Sequence, residues 1–259
     1  MSRVIGVLSG KGGVGKTTIT ANLGAALTNI FKKNIVICDM NIHASHLGLH
    51  LGMYEDPPAT LRDVLKGKMP ITNAIYMHPQ TGIKIICAPL NRECKNPTQT
   101  EIGQLVSQIK NNYDMVILDC APGLGEEATA AISAIDDALV ITTPDLPSVI
   151  DAVKALDILR KKNKNILGVV INRFDNKSYM LTENEIASTC NCRIVSRIPE
   201  DKKIPESISK GIPVVLIYPD CTASRSLKNL ASYISGSYYR EENIMDRIKN
   251  FFNFEKFNF

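Results

Sequence analysis

The sequence predicts a single α/β domain built on a doubly wound, mostly parallel β-sheet, followed by a C-terminal amphipathic helix. Three observations carry that reading. Short β-branched runs alternate with stretches of helical spacing, the rhythm of strand–helix–strand units. Most of those runs are apolar throughout, which suits strands covered on both faces. A glycine-rich turn from Gly10 to Gly15 joins the first run to the first helical stretch, a turn that lets the backbone approach a ligand closely.

Composition sets the outer limits. The chain has 259 residues, 44% hydrophobic and 22% charged, which excludes disordered, collagen-like and disulfide-rich secreted classes. Thirty basic against 26 acidic side chains give a net charge of +4, too small an excess to argue for nucleic acid, which is not an expected partner. The longest apolar runs, such as Ile212–Tyr218, are far shorter than the roughly 20 residues that span a bilayer. The amino terminus does not read as a signal peptide, because Val4–Leu8 stops at Gly10-Lys11. An odd cysteine count, seven, fits a reduced, cytoplasmic chain.

In chain order the predicted strands are Val4–Leu8, Ile35–Cys38, Ile83–Cys87, Met115–Leu118, Ala138–Thr142, Leu167–Ile171 and Ile194–Ser196. Helical spacing covers Thr17–Asn29, Glu101–Asn112, Pro147–Lys162 and Thr182–Thr189, among other stretches. Neither repeat nor low-complexity linker divides the chain, so one domain over residues 1–237 and a tail over 238–259 are expected.

Gly10-Lys11-Gly12-Gly13-Val14-Gly15-Lys16-Thr17-Thr18 follows the first strand and opens the first helix. Its frame, Gly-x-x-x-x-Gly-Lys-Thr, is the P-loop pattern in its strand–loop–helix context. Glycines turn consecutive N–H groups around a phosphate, and the helix start adds its positive dipole end. Lys16 would bridge the β- and γ-phosphates, the Thr17 hydroxyl would be a Mg²⁺ ligand, and Thr18 is placed for the α-phosphate. Four apolar residues set Asp119 at the end of Met115–Leu118, where a carboxylate can hold Mg²⁺ through water; a helix cap is the alternative. The Asn172-Arg173 pair and the Pro199-Glu200-Asp201 triplet sit at strand ends, where open α/β sheets bind ligands.

The extra lysine, Lys11, makes the loop resemble the deviant Walker A motif of the MinD/ParA ATPases, and over nearly the whole chain the sequence is similar to archaeal-type MinD proteins. The resemblance implies ATP or ADP with Mg²⁺ as ligands, and Lys11 reaching a partner's nucleotide across an ATP-dependent homodimer. Taken alone, Lys11 reads equally as a surface lysine near the phosphates. The resemblance also gives Asp119 the second strand-end role, with Pro122-Gly123 sensing the γ-phosphate. It places Asn172, Arg173, Pro199, Glu200 and Asp201 around the adenine. Pro144–Asp151 would form part of a dimer and partner surface, although Asp145 and Asp151 fit helix caps equally well.

One position departs from the family. Its Asp-x-Asp pattern reads Asp39-Met40-Asn41 here. Asp39 could ligate a metal-bound water, whereas Asn41 replaces the residue that activates the attacking water. An amide cannot take a proton, yet phosphoryl transfer relies mainly on positioning and charge stabilisation. Slow or partner-dependent ATP hydrolysis is therefore expected. His43 and His46 in the same segment read as solvated loop residues.

Cys190-Asn191-Cys192 lacks the Cys-x-x-Cys spacing of the related iron–sulfur carriers, and no metal beyond Mg²⁺ is expected. Cys38, Cys87 and Cys120 read as small core residues. The run Arg160-Lys161-Lys162-Asn163-Lys164 ends a helix, where cations complement the dipole; DNA contact, as in chromosome-partitioning relatives, is the alternative.

In the tail, Ile244, Met245, Ile248, Phe251 and Phe252 fall on one helical face. Residues 240–259 carry four basic and four acidic groups, so any membrane insertion would be apolar in origin. MinD proteins end in such a helix. The expectation is an ATP-state peripheral protein on the inner face of the cell membrane, with an unidentified activating or cargo protein, that positions division, motility or other polar machinery. A DNA- or cargo-partitioning ATPase and a non-hydrolytic ATP-dependent scaffold are the alternatives, and a helix folded back on the domain or held by a partner protein is the alternative for the tail.

Overall fold

The structure, a computed structural model, describes residues 2–90 and 96–239. The tail positions Ile244, Met245, Ile248, Phe251 and Phe252 lie outside the described residues. In chain order the elements are β1 (Arg3–Leu8), α1 (Lys16–Asn29), β2 (Ile35–Met40), α2 (Leu47–His50), α3 (Leu61–Leu65), a 3₁₀ turn (Ile71–Ala74), β3 (Tyr76–Met77), β4 (Lys84–Ile86) and α4 (Gln99–Lys110). Then come β5 (Met115–Cys120), α5 (Glu126–Ala134), β6 (Asp137–Thr142), α6 (Leu146–Lys161), β7 (Asn165–Phe174), α7 (Glu183–Cys190), β8 (Ile194–Pro199), α8 (Lys203–Ser209), α9 (Val214–Ile217) and α10 (Thr222–Ser235).

The strands form one sheet in the order β3-β4-β2-β5-β1-β6-β7-β8. Every neighbouring pair is parallel except β3 with β4. The doubly wound expectation is met, and the physical basis is the side-chain period of two. Val4 and Leu8 of β1, Val36 and Cys38 of β2 and Val116 and Leu118 of β5 pack on the face covered by α3, α4, α5 and α6. Ile5 and Val7, Ile35 and Ile37, and Ile117 face the opposite layer of α1, α2, α9 and α10. Burial on both sides explains why the strands read as continuous apolar runs.

Several elements depart from the sequence expectation. Strand β3, two residues at the sheet edge, is too short to leave a pattern. Helix α5 buries Ala128, Ala130, Ala131 and Ile132, a face made largely of alanine. Helix α10 does carry a regular stripe, Ala223, Leu227, Leu230, Ala231 and Ile234. Four strands, β2, β5, β7 and β8, run past their expected ends. Asp39 and Asp119 therefore lie inside β2 and β5, and Asn172-Arg173 lies inside β7, not after it.

Basic residues near the end of α6 work as local caps. Arg160 donates to the carbonyls of Cys190 and Asn191 at 2.9 Å, and Lys164 Nζ reaches those of Ser133 and Ile135 at 2.9 and 2.8 Å. These contacts satisfy the C-terminal carbonyls of α5 and α7, which weakens the DNA reading of the run. Cys38 and Cys120 are fully buried, and burial pushes the Cys120 thiol up to about 12. Burial also lifts the Cys190 thiol to about 11 and raises Cys192, the reverse of what a thiolate ligand requires. Among the described residues no helix is long and apolar enough to cross a membrane.

Candidate functional site

The P-loop, the ends of β2 and β7 and helix α2 meet around a cleft of about 480 Å³, lined by the loop with Asn41, His46, His50 and Arg173. Two glycines make the loop possible. Gly15 caps α1 at φ +90°, and a Cβ there would lie 2.2 Å from Asn172 Nδ2. At Gly10 a Cβ would lie 2.0 Å from the Asp151 carbonyl oxygen of α6. Asn172 Nδ2 donates to the Val14 carbonyl at 2.7 Å, tying β7 to the loop. Among the described residues no side chain caps α1, and its first turn has no acidic residue. A helix start left in this way is suited to an anion.

Lys16, 6% exposed, places Nζ 2.9 Å from Asp119 Oδ1. Thr17 Oγ1 donates to Asp119 Oδ2 at 2.7 Å and Thr20 Oγ1 to Oδ1 at 3.2 Å. Asp119 is thus no helix cap: it is a buried strand carboxylate fixed on α1. A buried ion pair is weak evidence for stability, because apolar replacements pack as well or better. Its retention here points to chemistry.

Asp39 stands beside it. The β2–β5 register pairs Asp39 with Asp119, and Asp39 is fully buried. Its carboxylate accepts from Asn41 N at 3.0 Å, Ser45 Oγ at 2.8 Å and Leu47 N at 3.1 Å. Burial, and next the Asp119 charge, still push its carboxyl up to about 7. Two buried carboxylates paired in register, Asp119 carrying the Lys16 ammonium and the Thr17 hydroxyl, form a hard oxygen donor set suited to Mg²⁺. Among the described residues no group of three His, Cys, Asp or Glu side chains forms a self-sufficient metal site.

Asn41 is buried and its Nδ2 donates to the Ala44 carbonyl at 2.6 Å, so Oδ1 remains as the acceptor of the amide. The next residue, Ile42, donates its N–H to Glu127 of α5. Burial raises the Glu127 carboxyl above its ordinary range. His43 pairs with Asn96 at 2.6 Å, and His46 is exposed at the cleft. His50 approaches Thr18 Oγ1 at 3.2 Å.

On the other side of the loop, Arg173 faces Glu200 at 3.9 Å, both exposed. Pro199 closes β8. The Asp201 carboxylate is engaged elsewhere, accepting from Lys203 N at 2.9 Å, Thr222 Oγ1 at 3.1 Å and Ala223 N at 3.3 Å. It ties the starts of α8 and α10 together. Asp145 does cap α6, accepting from Ser148 N at 3.0 Å. Asp151 lies within α6 and pairs with Lys154 at 2.9 Å. Lys11 is exposed at the cleft.

A family model described as ParA, NUBPL iron-transfer P-loop NTPase, matches residues 1–235. The chain belongs to the ParA/MinD family of P-loop NTPases. An uncharacterised ATP-binding protein of Methanocaldococcus jannaschii is 34% identical over 93% of this chain and 91% of its own. The solved structure of the septum site-determining protein MinD from Pyrococcus horikoshii, complexed with Mg-ADP, superposes with a TM-score of 0.85 at 30% identity, covering 90% of this chain and 96% of that one. In a MinC:MinD cell division complex of Aquifex aeolicus the match has a TM-score of 0.84 at 28% identity, over 93% and 99% of the two chains. The ParA/MinD family consists of ATPases, and ATP or ADP with Mg²⁺ is its typical ligand.

Glu127, His50 and Thr20 were not singled out from the sequence. Thr20 has a local signal, since it lies one helical turn after Lys16 and shares its face. Glu127 and His50 reach the site only through tertiary contacts, and nothing in their sequence neighbourhood marks them.

Proposed function

We propose that the chain is a MinD-type ATPase switch that binds ATP or ADP with Mg²⁺ in the P-loop cleft, dimerises with ATP and associates with a membrane through residues 238–259. The observation that carries the nucleotide chemistry is the buried Lys16–Asp119–Thr17 cluster at the uncapped start of α1. Lys16 would exchange Asp119 for the β- and γ-phosphates, and charge-assisted bonds to phosphate are stronger than neutral ones. Thr17 and Asp119, with Asp39 through water, would hold Mg²⁺, which when bound neutralises charge on the phosphates. Asn41 Oδ1 would orient the attacking water without taking its proton, so hydrolysis is slow or partner-stimulated. Asn172, Arg173, Pro199 and Glu200 would border the adenine.

Dimerisation rests on Lys11, exposed at the cleft mouth, and on the exposed Leu146 and Ile150 of α6, 57% and 43% accessible, beside the Asp145 cap. Membrane association rests on the apolar stripe of the tail. A single short amphipathic helix binds weakly, and a dimer presenting two binds far better. Such a switch would position division, motility or other polar machinery through a partner protein.

Co-sedimentation with vesicles containing anionic lipid tests the reading, using the full chain and residues 1–240, each with MgATP and with MgADP. Binding that requires ATP and is lost on truncation is the expected result. Equal binding in both nucleotides would refute gating. Absence of binding would refute the membrane role.

A further inference from the structure

His50 is the last residue of α2, the helix that follows the Asn41 segment, and its ring is held at both nitrogens. Nδ1 lies 2.9 Å from the His46 carbonyl oxygen. A carbonyl only accepts, so Nδ1 carries the proton and, in the neutral ring, Nε2 is a lone-pair acceptor. Nε2 faces Thr18 Oγ1 at 3.2 Å, and the Thr18 hydroxyl therefore donates to it. That hydroxyl has one proton. While it is given to His50, Thr18 offers the cleft only lone pairs, which a phosphate oxygen cannot use.

Protonation of the ring reverses the bond. Nε2–H then donates to Thr18 Oγ1, and the hydroxyl proton is released toward the cleft, where both residues lie. We propose that His50 is a positioning residue of the phosphate site, setting through Thr18 whether the P-loop presents a donor or an acceptor to the phosphate chain. The inference rests on the nucleotide-binding reading above and adds a residue to that site.

The surroundings of His50 agree with a proton-linked role. Burial, chiefly, pushes its ring below the ordinary histidine value; the charges of His46 and Lys16 act the same way, while the His46 carbonyl and Asp119 oppose. From α8, which packs against α2, the charged Glu206 is engaged with Lys203 and Lys210. In the free protein the ring is thus neutral at pH 7. A phosphate chain brings negative charge into the cleft and raises the pKa. A group whose pKa is higher in the bound state takes up a proton on binding, so affinity rises as pH falls through that window.

The test uses MgADP binding to the full chain by calorimetry between pH 5.5 and 8, with His50→Gln measured in parallel. Glutamine retains an acceptor for Thr18 but has no titrating proton. Dividing the two affinities at each pH cancels the titration of ADP itself. The wild-type to variant affinity ratio should be severalfold larger at pH 5.5 than at pH 8, approaching the tenfold limit that a pKa moved by one pH unit sets. The NMR titration of the His50 ring in the wild type should move upward by a similar amount when ADP is added. A ratio independent of pH, or a His50 titration unaffected by ADP, would overturn the inference and leave nucleotide binding standing. Failure of the wild type to bind MgADP at any pH would instead remove the nucleotide reading itself.

Discussion

Replacing Asp39 with asparagine should stabilise the nucleotide-free domain at pH 8, although the aspartate accepts three hydrogen bonds. Asp39 is fully buried beside Asp119, and its carboxyl is pushed from the ordinary 3.8 to about 7. At about 1.36 kcal/mol per pH unit, holding it ionised at pH 8 costs up to about 4 kcal/mol relative to a neutral group. Asparagine removes that cost but keeps one carbonyl oxygen. With that oxygen toward Ser45 and Leu47, the Asn41 N–H loses its acceptor, a loss of about 1–2 kcal/mol. The net gain is about 2 kcal/mol, or about 4–8 °C in Tm for a domain of this size. The sign with pH follows from linkage. Between about pH 4 and 7 the folded chain binds more protons at Asp39 than the unfolded chain does, so wild-type stability falls as pH rises through that window. At pH 5 the variant should therefore lose its advantage. Thermal melts of both proteins at pH 5 and 8, without Mg²⁺ or nucleotide, measure this directly. A variant less stable than wild type at pH 8, or a gain of equal size at both pH values, would refute the reasoning.

Two further substitutions probe the loop and the amide. Gly15→Ala places a methyl 2.2 Å from Asn172 Nδ2 at φ +90°, a left-handed conformation that alone costs about 1–2 kcal/mol. MgADP affinity should fall by about a hundredfold or more in a calorimetric titration, and wild-type affinity would show that the loop can move aside. Asn41→Asp should raise steady-state ATP turnover about a hundredfold, the lower end of the range for a restored base. It also sets a carboxylate against the Ala44 carbonyl that now accepts from Asn41 Nδ2, so the melt should fall; unchanged turnover would mean that position 41 does not limit hydrolysis.

What the sequence disclosed, and what it concealed, divides along the range of the interactions. The P-loop is legible because its chemistry is local: glycines, lysine and threonine within one turn adopt the geometry together. Asp119 is legible because a short apolar run ending in a carboxylate is anomalous in a buried strand. The fold class follows from strands buried on both faces. Helix α5 was hidden because its buried face is mostly alanine, and β3 because two antiparallel residues leave no period. Asp145 and Asp151 look alike in sequence, and only the start of α6 at Leu146 makes the first a cap and the second a helix-surface residue. Likewise Asp201 reads as a ligand contact until the start of α10 arrives beside it from 21 residues away.

Carboxylates hold four residues of the segment after β2, and this links its order to the charge in the cleft. Asp39 fixes Asn41, Ser45 and Leu47, and Glu127 fixes Ile42. Burial raises both acids, so each holds its donors most strongly only when something nearby favours the ionised form. Among the described residues of the cleft Lys16 is the one buried ammonium, and it is committed to Asp119. If Lys16 turns to a phosphate, Asp119 loses its counter-ion, and the two acids paired in register need a cation between the strands to stay ionised together. A metal ion arriving with the nucleotide would meet that need, strengthening the bonds of Asp39 to the Asn41 segment. The gain would come as the phosphates and metal arrive, so the segment carrying Asn41 and His50 should tighten with MgADP but not with Mg²⁺ alone. Hydrogen exchange at Ile42 and Leu47 resolves the two cases, and equal protection by Mg²⁺ alone would place the coupling in the carboxylates without the phosphate.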